Sequence, residues 1–538
     1  MLTAFRVRNL RCFEDSGFLD VRPIVVFVGR NSSGKSTLLR LFPLMKQSVS
    51  EDTREPILWY GRSADFGSFN EAVRRPSSEE PITFEFRFSF PPGTGQDYYY
   101  VGPDERGYFG GATGPRIFAS ESEVTAEIAL AVRPRVKSEG TYTYSVEIRI
   151  GPDRLILEAN EEGNLSPPRF NGKAIGNLVP SQFRFGRGRF FPNVIPSPSA
   201  EAFPDEARRA IAMQAQEGPY FSALMQRLQP FFHGNIGRES LRRRTLRIAF
   251  APATEFAGYF KALSTSSKWK LKADLVESPF SSDLEELRAL TLLRHVPRLL
   301  SEASSQLGDV GKAVRYLEPV RARAARYYRY QELAIDEIDP QGENVPMFLQ
   351  TINYSEQRSL AAWMTSALGF EVHATRDGGH VKLVVREKES DREFNLADTG
   401  FGYSQVLPII LQLWKLERDT AARPARRRSI QRIVAVEQPE LHLHPHFQAL
   451  LADVFTMSVS AAKKTSSALS LIVETHSEHL VNRLGALVER GQLSKADVVV
   501  YLVDRTSPDK AATVLTAEFS ETGTLSEPWP FGFFSPQL

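Results

Sequence analysis

The stretch Gly29-Arg30-Asn31-Ser32-Ser33-Gly34-Lys35-Ser36-Thr37 constrains this chain more than any other. It fits G-x-x-x-x-G-K-[ST] and lies between segments of different periodicity. Ahead of it, Val21 to Val28 ends in an almost unbroken β-branched run, as in a strand buried on both faces. Behind it, an apolar helix is expected from about Ser36 to Lys46. Glycines in such a turn let backbone N–H groups close around an anion, and the helix N-terminus adds partial positive charge. Phosphate suits that nest. Lys35 is expected to reach the β- and γ-phosphates of a nucleotide, and the Ser36 hydroxyl to ligate Mg²⁺. Gly29, Arg30, Asn31, Ser32, Ser33, Gly34 and Thr37 complete the cradle.

A doubly buried strand needs parallel neighbours, and the C-terminal part of the chain supplies them. Strands are expected at 432–437, 469–474 and 497–503, alternating with helices at 404–417, 445–457 and 477–490. Two further strands are expected at 370–375 and 380–386. Near the N-terminus, strands 4–9 and 20–28 are joined by a turn around Asp15-Ser16-Gly17. Three alternating segments follow: Ile82 to Phe90, Val124 to Val132 and Tyr142 to Ile150. They read as half-exposed antiparallel strands of a second layer. Residues 91–119 and 163–204 are rich in Gly and Pro and read as loops. From Ala200 to about Arg329 the pattern turns helical, as in Asp205–Gln216 and Ser282–Gln306, without sustained heptads. The expected fold is therefore α/β: a phosphate-loop sheet plus an antiparallel layer, built from both chain ends, with a mixed, largely helical insertion. The expected lobes are 1–160, 161–369 and 370–538.

Three more motifs carry chemistry. Ile433-Val434-Ala435-Val436-Glu437 is an apolar strand ending in an acid, placed to hold the Mg²⁺ shell beside a phosphate loop. Asp398-Thr399-Gly400-Phe401-Gly402-Tyr403-Ser404-Gln405 opens a helix, a second anion-friendly N-terminus whose plain reading is an ordinary cap. Glu474-Thr475-His476-Ser477 puts a histidine just past a buried strand. Such a histidine is commonly structural, although ligands gather at the carboxyl ends of parallel strands.

In this order the motifs resemble the ABC-type ATPase heads, and more closely the SMC-like and overcoming-lysogenization-defect-like ATPases of prokaryotic DNA repair and phage defence. Val436-Glu437-Gln438-Pro439-Glu440-Leu441-His442-Leu443-His444-Pro445 resembles that group's Walker B and D-loop, and Thr475-His476-Ser477-Glu478-His479-Leu480 its switch histidine. Tyr316-Leu317-Glu318-Pro319-Val320-Arg321, Gly342-Glu343-Asn344 and Trp529-Pro530-Phe531-Gly532-Phe533-Phe534 are similar to segments of its stand-alone members. The resemblance covers 1–90 and 310–538 and does not extend to residues 91–309.

The resemblance implies ATP and Mg²⁺ as cofactors and two heads paired head to tail in a homodimer or higher oligomer. Gly402, Ser404 and Gln405 of one protomer would contact the γ-phosphate held by Lys35 of the other, and His476 would sense it. It also implies a separate effector protein, a nuclease or toxin. One position departs from the pattern: Gln438 stands where these heads usually carry the catalytic acid. An amide orients water but accepts no proton. Hydrolysis is then slow, or Glu440 or His476 substitutes, or ATP serves mainly as a clamp. A transporter ATP-binding subunit is a weaker alternative, given the long gap between phosphate loop and Gly-x-Ser-Gln and the absence of Leu-Ser-Gly-Gly-Gln.

Composition narrows the partners. The chain has 538 residues, with 66 Lys+Arg against 64 Asp+Glu, so it carries no general basic coat for nucleic acid. Local basic clusters occur at Arg242–Arg244, at Arg321–Arg329 with Tyr327, Tyr328 and Tyr330 interleaved, and at Arg423–Arg428. Aromatic–arginine interleaving suits nucleic acid strands, whereas solvated faces are the plainer reading. Cys12 is the single cysteine, which fits a reducing cytoplasm without disulfides. The start of the chain lacks an apolar signal core, and no run approaches the roughly 20 apolar residues of a membrane helix. A cytoplasmic protein without membrane contact is expected. His442, His444 and His446 alternate like metal ligands, but Pro445 and their D-loop position argue against a metal site. Asp497 and Asp504 are too few acids for a nuclease centre.

Overall fold

The structure, a computed structural model, describes residues 1–75, 80–94, 98–99, 112–113, 116–175, 183–188, 190–196, 220–232, 235–258, 282–333, 335–388, 392–421 and 430–526. The Asp205–Gln216 helix, the Arg423–Arg428 cluster and the Trp529–Phe534 tail lie outside the described residues. The chain divides into two compact units, one of residues 1–7, 52–57 and 77–308, the other of 8–51, 58–76 and 309–538. These limits differ from the expected lobes. The antiparallel strands group with the middle of the chain, whereas the phosphate loop groups with the C-terminal motifs.

The second unit holds a six-stranded sheet in the order 314–317, 432–437, 469–474, 24–29, 498–504, 513–517. The first five are parallel; only Thr513–Ala517 runs antiparallel, along Val498–Asp504. Ile24, Val25, Val26, Phe27 and Val28 are fully buried, as their unbroken apolar run requires. Both chain ends therefore build one α/β sheet. The strand Val314–Leu317 corrects the helical reading of this stretch: the long helix Ser282–Ala313 ends where Val314 to Leu317 pair with Ile433 to Val436. Four residues at the end of a 32-residue helix leave too short a period-two signal to read.

The helix after the phosphate loop is also two helices, Lys35–Leu39 and Leu41–Ser50, divided at Arg40. Pro43 is the cause, because it has no N–H to continue the first helix's ladder. Helices Phe401–Ala421, Pro445–Lys464 and Glu478–Glu489 fall where expected, the first and second running longer. A smaller antiparallel sheet pairs Phe370–Asp377 with His380–Glu387 in the same unit.

The first unit is an antiparallel sheet in the order 173–174, 169–170, 153–158, 141–150, 124–134, 82–90, followed by the strand starting at Leu2. Ile82, Phe84, Phe86, Phe88 and Phe90 form one fully buried stripe. Phe190 and Phe191 meet it edge-on, with ring centroids 5.5 Å apart for Phe86 and Phe190. The expectation of a half-exposed strand fails here, since Thr83, Glu85 and Ser89 on its other face are buried too. The Arg87 and Glu127 side chains pair across neighbouring strands at 2.9 Å. In the long helix, Arg288 is buried and ion-paired to Asp153, and donates to the Ala251 carbonyl at 3.2 Å. Among the described residues, no helix is long and apolar enough to cross a membrane.

Candidate functional site

The phosphate loop closes over the C-terminal end of Ile24–Gly29. Gly29 packs so tightly that an added Cβ would lie 2.0 Å from the Val503 carbonyl oxygen. Gly34 has φ 111° and faces Cys12 Sγ, which a Cβ would approach to 2.5 Å. Any L side chain would therefore strain the turn and collide with the residue beneath it. Cys12 is not idle: buried, it points its thiol at the Ser33 carbonyl 3.7 Å away. The Lys35 ammonium is almost fully buried and donates to the Gly29 and Arg30 carbonyls at 3.0 and 2.8 Å. Burial lowers its pKa, and Glu474 and Glu440 oppose that shift.

A cleft of about 1060 Å³ opens on this loop. Asn31, Ser32, Gly34, Lys35, Ser36 and Thr37 line it, together with Gln438, Glu474, Arg11, Arg75 and Arg505. Its lining mixes cations with the carboxylates of Glu71, Glu474 and Asp509. Gln438 stands at the cleft with φ 43°, and its N–H donates to the Glu474 carbonyl at 2.8 Å.

Glu437 and Glu474 are register partners at the tips of adjacent parallel strands, 2% and 3% exposed. Their surroundings differ. Glu437 Oε1 accepts from Arg40 Nε at 2.6 Å and from the Tyr316 hydroxyl at 2.7 Å, and Oε2 from Arg40 Nη2 at 2.8 Å. The Glu437 hydrogen bond and charge push Arg40 above its ordinary pKa despite burial. Burial and the Glu437 charge push Tyr316 upward too. Glu474 Oε1 lies 4.0 Å from Lys35 Nζ, and its Oε2 is buried with no hydrogen-bond partner. Burial, then the nearby Glu437 charge, raise Glu474 to about 7, against the opposing pull of Ser36, Lys35 and Arg40.

The two proposed substitutes for a catalytic acid differ as well. Glu440 is buried with both oxygens engaged, Oε2 by the Thr475 hydroxyl at 2.8 Å and Oε1 by the His476 N–H at 2.6 Å. It ties the D-loop turn to the neighbouring strand end and does not line the cleft. His476 is half-buried, and burial followed by the Lys35 charge depresses its pKa to about 4. It is a neutral imidazole at pH 7. Thr475 and Ser477 cap the helix Glu478–Glu489, with Leu480 N–H donating to Ser477 Oγ at 3.0 Å. His444 likewise caps Pro445–Lys464, its Nδ1 accepting from the His446 N–H at 3.3 Å.

Gly402, Ser404 and Gln405 do not line the cleft of this chain. Gln405 is buried, its amide exchanging hydrogen bonds with the Arg321 N–H and carbonyl at 3.2 and 3.0 Å. The Arg321 guanidinium is itself buried and donates to the Glu437 carbonyl at 2.8 Å. Burial lowers its pKa to about 10. Arg321 therefore leaves the basic cluster read as a solvated face and becomes a link between two site elements. Gly342-Glu343-Asn344 forms a turn in which the Glu343 and Asn344 N–H groups donate to Asp339 at 2.9 and 2.8 Å. In Arg242–Arg244, Arg243 pairs with Glu239 at 3.1 Å on the helix Arg238–Leu246.

The sequence reading gave no role to Glu474, Arg40, Tyr316 or the arginines lining the cleft, although Glu474 opens the histidine motif and Tyr316 opens a quoted segment. For Mg²⁺, a hard cation that takes oxygen ligands, the fit is good: the Ser36 hydroxyl and a partnerless buried carboxylate oxygen lie together beside the phosphate loop.

Residues 263–481 match the family model described as an AAA ATPase domain. No curated protein matches. Among solved structures, the chain is similar to the Smc head domain with an extended coiled coil, bound to the C-terminal domain of ScpA, from Pyrococcus furiosus. That likeness has 8% identity, covers 96% of each chain and gives a TM-score of 0.32. It is also similar to the SMC head domain from Thermotoga maritima, at 8% identity, 96% and 98% coverage and a TM-score of 0.33. Likenesses this distant leave the family match and the geometry to decide. The matched stretch starts far beyond the phosphate loop, yet its strands 432–437 and 469–474 pair in register with the phosphate-loop strand's sheet. Both point to a P-loop ATPase domain.

Proposed function

We propose that this chain binds and hydrolyses ATP as an SMC-like ATPase of the DNA-repair and phage-defence group, pairing heads around ATP to control a separate effector. One observation carries the ATPase part: a glycine cradle with a buried lysine opens into the same cleft as Glu474 and Gln438, brought there from the other end of the chain. The order of the phosphate loop, Gly-x-Ser-Gln, acidic strand tip and histidine supports the SMC-like part. Cytoplasmic action, homodimers and a nuclease or toxin partner follow from that reading. Nucleic acid is a candidate trigger.

Within the chain, backbone N–H groups of 29–37 hold the phosphates, and Lys35 turns from the Gly29 and Arg30 carbonyls to the β/γ oxygens. Mg²⁺ would neutralise charge on the same oxygens. Gln438 orients water by its amide. No acid occupies its position and Glu440 is fully bonded, so turnover is slow and ATP acts largely as a clamp.

Two measurements test this. Lys35→Ala should weaken binding of a fluorescent ATP analogue by about a hundredfold or more, because Lys35 is the buried cation placed to neutralise the β/γ charge. Unchanged affinity would reject the nucleotide site. Ser404→Arg should bind ATP normally yet fail to form the ATP-dependent dimer in light scattering. Normal pairing in that variant would reject the shared site.

A further inference from the structure

We propose that Glu474, rather than Glu437, is the carboxylate that faces the nucleotide's divalent cation. The inference rests on the ATP-binding reading and names the metal side of that site.

The two glutamates start equal, at register-paired tips of adjacent strands and nearly fully buried. Arg40 makes the difference. It meets Glu437 with Nε and Nη2, one on each carboxylate oxygen, in the bidentate arrangement that gives strong charge-assisted pairs. Tyr316 adds a third donor. A cation at Glu437 would have to displace these donors or sit against a guanidinium. Glu437 is also absent from the lining of the cleft. Its charge is already answered.

Glu474 has the opposite set of neighbours. It lines the cleft and belongs to the strand paired directly with the phosphate-loop strand, through Glu474 and Phe27. Its Oε2 is buried without a partner, and the Ser36 hydroxyl lies against the carboxylate. Lys35, 4.0 Å away, is the group that incoming phosphates would draw off. A buried carboxylate in that state takes up a proton or a cation, and the cation that arrives with ATP is divalent.

The test compares binding of a fluorescent ATP analogue to the full chain in EDTA and in excess Mg²⁺, for wild type, Glu474→Gln and Glu437→Gln. The expected result is that Glu474→Gln loses at least tenfold of the magnesium-dependent gain, measured against its own affinity in EDTA. Glu437→Gln should keep the gain and melt at a lower temperature, having lost its pair with Arg40. Manganese should give the same split, read from the spin resonance of bound Mn²⁺ with ATP. A full gain in Glu474→Gln, or a gain lost only in Glu437→Gln, would overturn the assignment. Should Glu474→Gln fail to fold, Glu437→Gln decides: a retained gain supports Glu474, and a lost one rejects it. A wild-type chain that binds no nucleotide under either condition would overturn the ATPase reading and this inference with it.

Discussion

The parallel and antiparallel sheets handle charge in opposite ways. Along the parallel sheet the inner strands are apolar through most of their length, Ser470 apart, and acids appear only at the C-terminal tips, as Glu437 and Glu474. Along the antiparallel sheet charge is spread over the strands and answered locally, by Arg87 with Glu127 and by Arg149 and Arg154 with Glu147. The physical reason is burial. A sheet covered on both faces cannot hold unpaired charge along its length, so polar groups crowd to one end. A sheet whose charges face each other across strands satisfies them where they stand. Crowding at tips leaves some groups short of partners, and those groups can meet a ligand.

The largest effect that would sharpen this contrast is at Gln438. Restoring an acid with Gln438→Glu should raise single-turnover ATP hydrolysis by about 10²–10⁴-fold, the usual worth of a placed general base. An unchanged rate would show that the water is activated elsewhere. Glu440→Gln should instead lower stability, because one oxygen that now accepts becomes a donor facing the Thr475 hydroxyl or the His476 N–H. A Glu440→Gln protein with wild-type melting but no hydrolysis would return Glu440 to the chemistry.

The next effect belongs to the antiparallel unit. Arg288→Leu leaves Asp153 buried and unpaired and should cost about 3–5 kcal/mol in denaturant unfolding, with Lys35→Ala costing far less. Equal losses would erase the distinction between satisfied and waiting charge. The smallest effect is a pH slope. His295 is fully buried, its Nε2–H donating to the Ile248 carbonyl 3.1 Å away, and burial depresses it to about 3. The unfolded chain binds that proton below about 6.5 and the folded chain does not. Stability should therefore fall with acid from about 6.5 down to about 3, by up to about 1.4 kcal/mol per pH unit. His295→Gln should flatten that slope in melting curves taken between pH 5 and 7.

Much of this architecture was readable from spacing alone. Val21 to Val28 announced a doubly buried strand, and the C-terminal alternation announced its neighbours, because each signal is local and long enough to have a period. Val314–Leu317 was hidden by its brevity behind a long helix. The site was legible where a motif is contiguous, as in 29–37. It was opaque where a role depends on distant choices. Glu437 and Glu474 look alike in sequence, and only the position of Arg40, itself set by the helix break before Pro43, tells which acid is taken. Arg321 was misread for the same reason, since a guanidinium buried by tertiary contacts looks like any other in an arginine run.

The strand order has a consequence for synthesis. Ile24 pairs with Leu471 and Val498, so the phosphate-loop strand leaves the ribosome long before either partner exists. At roughly 5–20 residues per second, that wait is roughly 20 to 90 seconds. Throughout it, a run of apolar residues that ends fully buried has no edge partner of its own sheet. Nascent chains stalled before residue 469 should bind a holdase chaperone through this segment, and release should follow the appearance of Leu469–Glu474 at the tunnel exit.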